Sequence, residues 1–164
     1  MLWPEMNDVT QSLSPGDRRI LAALQDDATL SLKDLADAAH LSPSTVWRRV
    51  QDLEAAGVIR DRVALLDPDR LGLGVCTLVH VNISSQTPET RRAFEAFVDR
   101  HDTVLQCFAV TGGQDYMLVL RTRTVAAFER FLMDELLAHP SVASSSSQLV
   151  LRHHKNSTAL PLDG

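Results

Sequence analysis

LSPSTVWRRVQDLEAAGVI, residues 41–59, is the stretch on which the fold turns. Ser42 is placed to cap a helix, and Pro43 to take its first position, where a missing N–H costs nothing. Gly57 ends that helix as the residue after the cap. At about 100° per residue, Val50 and Leu53 lie within about 40° of Val46, so these three set the buried direction. Arg48 then lies about 200° away, with Ser44 and Gln51 beside it and Trp47 on the flank. Trp47 either joins this outward face or covers the edge of the small core. Arg49 lies about 300° from Val46 and points sideways, toward a phosphate or toward an acid on an earlier helix.

Two shorter helices precede this one. Ser14-Pro15 opens a helix over about 15–26, with Ile20, Leu21 and Leu24 at helical spacing, and Asp26-Asp27 breaks it. Ser31 caps a second, whose Leu32, Leu35, Ala36 and Ala39 form one apolar face. Only His40-Leu41 separates it from the third. Three short helices with a tight turn between the last two follow the helix-turn-helix plan. Residues 58–63, VIRDRV, alternate apolar and polar and predict a short strand, a wing carrying Arg60 and Arg62. Residues 1–12 read as a flexible leader, 13–63 as a winged helix-turn-helix domain, and 64–74 as a linker marked by Asp67-Pro68 and Gly72.

Charge bears on what this domain touches. The chain of 164 residues has a formal net charge of -5, which argues weakly against nucleic acid. Residues 38–51, however, hold Arg48, Arg49 and His40 and no Asp or Glu. Local field decides docking on phosphate more than net charge does. A helix-turn-helix enters the major groove by the N-terminal end of its last helix, and an acid there would repel the backbone. Arg48 can bind guanine bidentately, Gln51 can pair with adenine, and Ser42, Ser44 and Thr45 suit phosphate. With Trp47, Arg49, Arg60 and Arg62, these are the expected contacts to double-stranded DNA. Against this stands a surface helix with solvated arginines.

The second half changes period. Strands are predicted over 75–83, 104–111, 116–122 and 144–151, with helices over 88–100 and after Thr124, the latter stopped by Pro140. The order βαββαβ is the ferredoxin-like plan, and the chain as a whole is α+β. Helices on one face leave the other face bare, and the first strand is apolar on both alternations. That points to a homodimer formed through the sheet. Residues 75–152 form this domain, and 153–164 a polar tail that is mobile or docks on a neighbour.

Several classes find no support. No apolar run reaches the ~20 residues of a membrane span, and the N-terminus has no secretory pattern, so the cytoplasm is expected. Cys76 and Cys107 sit in apolar stretches and read as plain buried thiols. The six histidines form no metal-ligand spacing with each other or with cysteine, and no nucleotide or nucleophile motif occurs, so no metal, cofactor or catalytic residue is expected.

The stretch at 41–59, followed by LLDPDRLG at 65–72 and VTGGQDYMLVL at 110–120, resembles the Lrp/AsnC (feast/famine) transcription regulators. The resemblance spans about residues 13–152. It implies dimers that assemble into octamers or other higher oligomers, and a small-molecule effector, usually an amino acid, bound between dimers. The effector residues it implies are Thr111, Gly112, Gly113, Gln114, Asp115 and Tyr116 in the turn, and Ser145 and Ser147 in the last strand. There this chain has SSSSQ, where the family often has threonine. Physical chemistry supports the turn separately, since two glycines expose backbone N–H groups to a carboxylate and Asp115 suits an ammonium. The alternative is a plain hairpin turn. Competing functions are a DNA-packaging protein without effector and a ferredoxin-like small-substrate enzyme with a helical appendage.

Overall fold

The computed structural model describes residues 13–162 and separates into two compact units. The first holds the described residues up to Ala64 and, from the far end of the chain, 155–162; the second is Leu65–His154. The leader expected at 1–12 lies outside the described residues.

Three helices build the first unit: α1 (Pro15–Asp26), α2 (Leu32–Ala39) and α3 (Pro43–Ala55). Each starts where a hydroxyl satisfies a free N–H of the first turn. Ser14 accepts from Asp17 N, Ser31 from Asp34 N and Ser42 from Thr45 N. The turn between α2 and α3 is tight because His40 takes the left-handed conformation, with φ at 53°, and Leu41 N donates back to Ala36 O. Ile20, Leu21, Leu35, Ala36, Ala39, Val46, Val50 and Leu53 close the core between the three helices.

Three expectations are corrected in and around this unit. Residues 58–63 form no strand. Val58 and Ile59 donate back to Leu53 O, and no partner strand lies alongside among the described residues. A lone strand leaves its backbone groups unpaired, so the alternating pattern is not enough to make one. Residues 65–74 are not a free linker, because they belong to the second unit, where Arg121 donates to Leu73 O and Arg123 to Leu71 O. The tail is anchored too. Gln25 bonds both the N–H and the C=O of Leu160, Arg18 donates to Leu162 O, and Leu162 packs on the core of this unit.

The second unit runs β1 (Val75–Ile83), α4 (Pro88–Val98), β2 (Val104–Ala109), β3 (Tyr116–Thr122), α5 (Val125–Arg130) and β4 (Val142–Leu149). Its antiparallel sheet has the order β2-β3-β1-β4. From α5 the chain passes into a π-helical segment, Phe131–Leu136, in which Leu137 N donates to Leu132 O five residues back. The wider turn keeps Phe128, Phe131 and Leu136 all in the core. They and Phe94, Phe97 and Val98 cover one face of the sheet, made of Val79, Val81, Ile83, Tyr116, Leu118 and Leu120. The alternate residues, Leu78, His80, Met117 and Val119 among them, lie on the other face and stay half-buried. Both cysteines are free; Cys76 is buried and Cys107 half-buried, and burial pushes the Cys107 thiol up to about 11.

Candidate nucleic-acid interface and ligand turn

The N-terminal end of α3 is a cluster of hydroxyls. Ser42 Oγ lies 2.7 Å from Thr45 Oγ1 and 3.2 Å from Ser44 Oγ. No acid stands in that first turn. Ser42, Ser44, Trp47, Arg48 and Gln51 are all exposed, and Thr45 is half-buried. Trp47 is 60% exposed, so it joins the outward face instead of covering the core edge. Arg48 makes no hydrogen bond or ion pair among the described residues, and neither does Arg60; both guanidinium groups face solvent.

Arg49 is committed elsewhere. Its Nε donates to Asp17 Oδ1 at 2.7 Å and its Nη2 to Asp17 Oδ2, which makes the pair bidentate. Asp17 is 1% exposed and also receives the N–H and the hydroxyl of Ser14, so one carboxylate caps α1 and ties it to α3. The hydrogen bond from Arg49 holds the Asp17 carboxyl down at about 2 despite its burial. This is the internal pair of the two roles expected for Arg49. Arg62 is also paired, donating to Glu54 Oε1 at 2.8 Å, and Gln51 donates to Glu54 Oε2 at 3.1 Å. Sequence reasoning missed Glu54; its position three residues after Gln51 was the available signal.

The turn at 111–116 divides in two. Thr111, Gly112, Gly113 and Gln114 are exposed, and Gly112 has a φ of 120°, a conformation that suits glycine. Asp115 is turned inward. Its Oδ2 accepts Ile83 N at 2.9 Å, at the bulge where β1 departs from β4, and its Oδ1 accepts Gln86 Nε2 at 2.6 Å. Arg91 holds the far side of Gln86 at 2.8 Å. Gln86 and Arg91 were not legible as neighbours of Asp115, because only the strand register brings them there.

Tyr116 lies in the core. It is 4% exposed, its ring lies 4.7 Å from that of Phe94, and its hydroxyl donates to Glu95. Burial first, and then the Glu95 carboxylate, push the phenol up to about 12. It is a core residue on the helix-covered face. Ser147 and Ser145 pair with Val79 and Val81 and so share that same face, while Ser144 and Ser146 pair with Asn82 and His80 on the other. Ser145 is half-buried and Ser147 exposed, on the edge strand of the sheet. Among the described residues no cluster of metal-ligating side chains occurs, and no helix is long and apolar enough to cross a membrane.

A recognition helix with an exposed outward face and an acid-free first turn on one unit, and a helix-backed antiparallel sheet with a glycine turn on the other, define a two-part DNA-binding regulator. Comparison with known proteins gives this class a family. A family model described as winged helix-turn-helix DNA-binding matches residues 15–60, and one described as Lrp/AsnC ligand binding domain matches residues 76–160. A transcriptional regulator of Neisseria meningitidis, solved in complex with L-Met, aligns with a TM-score of 0.89 at 38% identity, covering 92% of this chain and 97% of that one. The transcriptional regulator AzlB of Bacillus subtilis is 30% identical over 92% of this chain and 96% of its own length. The Bkd operon transcriptional regulator of Pseudomonas aeruginosa is 36% identical over 89% of this chain and 95% of its own. The chain belongs to the Lrp/AsnC family: it is a transcriptional regulator with a DNA-binding and a ligand-binding domain.

Proposed function

We propose that this chain is a sequence-specific DNA-binding regulator whose operator affinity is set by a small-molecule effector of the amino-acid class. The observation that carries this reading is the outward face of α3, where Ser44, Trp47, Arg48 and Gln51 are exposed behind an acid-free first turn. Arg48 is the base-reading residue, Ser42, Ser44 and Thr45 hold phosphate at the helix N-terminus, and Arg60 reaches the flanking backbone. The similar regulator solved with L-Met supports an amino acid as effector, with the exposed residues 111–114 as its contact and Asp115 as their frame. The working form is a homodimer joined through the half-buried sheet face and assembled into octamers or other higher oligomers, in the cytoplasm. Effector binding changes dimer–dimer packing and so re-spaces the recognition helices against half-sites about one DNA turn apart.

Gel shifts on the most enriched fragment from genome-wide binding, with and without each amino acid, test the whole reading. Discrete sites whose occupancy changes with an amino acid, L-Met first, are expected. A Gln114→Ala variant should lose the response and keep DNA binding. Coverage of DNA without site preference would point to a packaging protein instead, and a full amino-acid panel without effect on affinity or oligomer size would end the effector half.

A further inference from the structure

Two residues of the proposed DNA face end on one acid. Glu54 sits one turn beyond Gln51 on α3 and receives the Gln51 amide on one oxygen and the Arg62 guanidinium on the other. With Ile59, Arg60, Asp61 and Arg62 it lines a shallow hollow at the C-terminal end of the helix. Both partners of the ion pair are well exposed, 44% for Arg62 and 38% for Glu54, so water competes for it and the contact is exchangeable. By contrast, the acid that holds Arg49 of α3 bidentately, Asp17, is buried. The two acids therefore do different things to the two arginines.

We propose that Glu54 is a specificity-determining residue, an internal counter-anion that neutralises Arg62 and occupies Gln51 until DNA replaces it on both. The proposal rests on the DNA-binding reading of α3. A phosphate offers the guanidinium the same kind of charge-assisted contact as the carboxylate does. Exchanging one anion for the other gains little, so Arg62 adds little to binding of arbitrary DNA. At a site where Gln51 finds its own base edge, both of the groups that Glu54 restrains leave it together. Phosphate contact and base reading are thereby coupled through one carboxylate.

Glu54→Gln removes the charge and keeps the shape, and it lies on the surface, where folding tolerates it. Affinities for a selected high-affinity fragment and for random-sequence duplex are measured against salt concentration. For random duplex the variant is expected to steepen the slope of log K on log salt by about 0.9, one extra phosphate contact, equivalent to a further factor of about 3 between 50 and 200 mM salt. The ratio of selected to random affinity is expected to shrink. Arg62→Ala alone should leave the random-duplex slope close to that of the unmodified protein, whereas added to Glu54→Gln it should abolish the steepening. An unchanged slope and ratio in Glu54→Gln, or a steepening that survives Arg62→Ala, overturns the proposal. If the unmodified protein shows no salt-dependent binding, the DNA-binding reading fails instead, and the two failures are distinct.

Discussion

The outward face of α3 and the turn at 111–116 differ in where their side chains end. On α3, Ser44, Trp47 and Arg48 project into solvent and are available to a partner. At the turn, Asp115 and Tyr116 are used up by the chain itself, one on the end of β1 and the other in the core. Helical geometry is local, because the direction of each side chain follows from its offset to Val46 at a fixed angle per residue. The turn joins two strands, and what its residues face depends on the register of a third strand, β1, whose contacting residues lie more than thirty positions earlier. The geometry that separates Arg48 from Arg49 therefore has no counterpart at Tyr116, whose surroundings are set by that register.

The sharpest way to test that contrast is Tyr116 itself. Tyr116→Ala is expected to destabilise the second unit by about 3–5 kcal/mol, the usual result of emptying an aromatic core site, as measured by chemical denaturation. A variant that stays fully stable and loses only its effector response would restore the ligand role. Next come the two arginines. Arg48→Ala should weaken operator binding by about 1–3 kcal/mol with an unchanged melting temperature. Arg49→Ala should do the converse, lowering stability by about 2 kcal/mol because it leaves the buried Asp17 carboxylate with the cap of α1 alone. Equal effects of the two on DNA affinity would break the distinction between them.

Acid titration probes the same pair with no substitution. The Asp17 carboxyl is held at about 2 in the folded protein, below the ordinary aspartate value of 3.8, so its contribution is in place above about pH 4 and is lost as pH falls toward 2. The size of that loss is expected to be about 2 kcal/mol, at 1.36 kcal/mol per unit. It should be absent in Asp17→Asn, whose denaturation midpoint is then compared across the same pH range. The smallest effect expected is a gain. Thr77 Oγ1 is buried on β1 without a hydrogen-bond partner among the described residues. Thr77→Val should raise stability by about 1 kcal/mol in thermal melts and leave DNA and effector binding alone.

Much of the molecule was legible in order along the chain. The caps Ser14, Ser31, Ser42 and Thr124 each stand at the start of the helix they announce, because a cap is a contact between residues three apart. The βαββαβ order follows from periods of two and 3.6 in the apolar residues. Element ends shifted by a residue or two, as at β2, which stops at Ala109 before the glycine turn. What failed was non-local. VIRDRV has the alternation of a strand and lacks a partner to pair with, and a strand exists only as a pair.

The sequence by itself determined the helices, most of their caps and the outward face of α3, since each of these rests on spacing within a few residues, and its resemblance over residues 13–152 pointed to the class of protein. Only the tertiary structure decided that Arg49 closes on Asp17, that Glu54 gathers Gln51 and Arg62, that Tyr116, Ser145 and Ser147 fall on the helix-covered face, and that residues 155–162 return to α1. In each case the physical reason is the same. Spacing along the chain says which way a side chain points, but the group it meets there comes from another element, and its position is known only once the elements are packed.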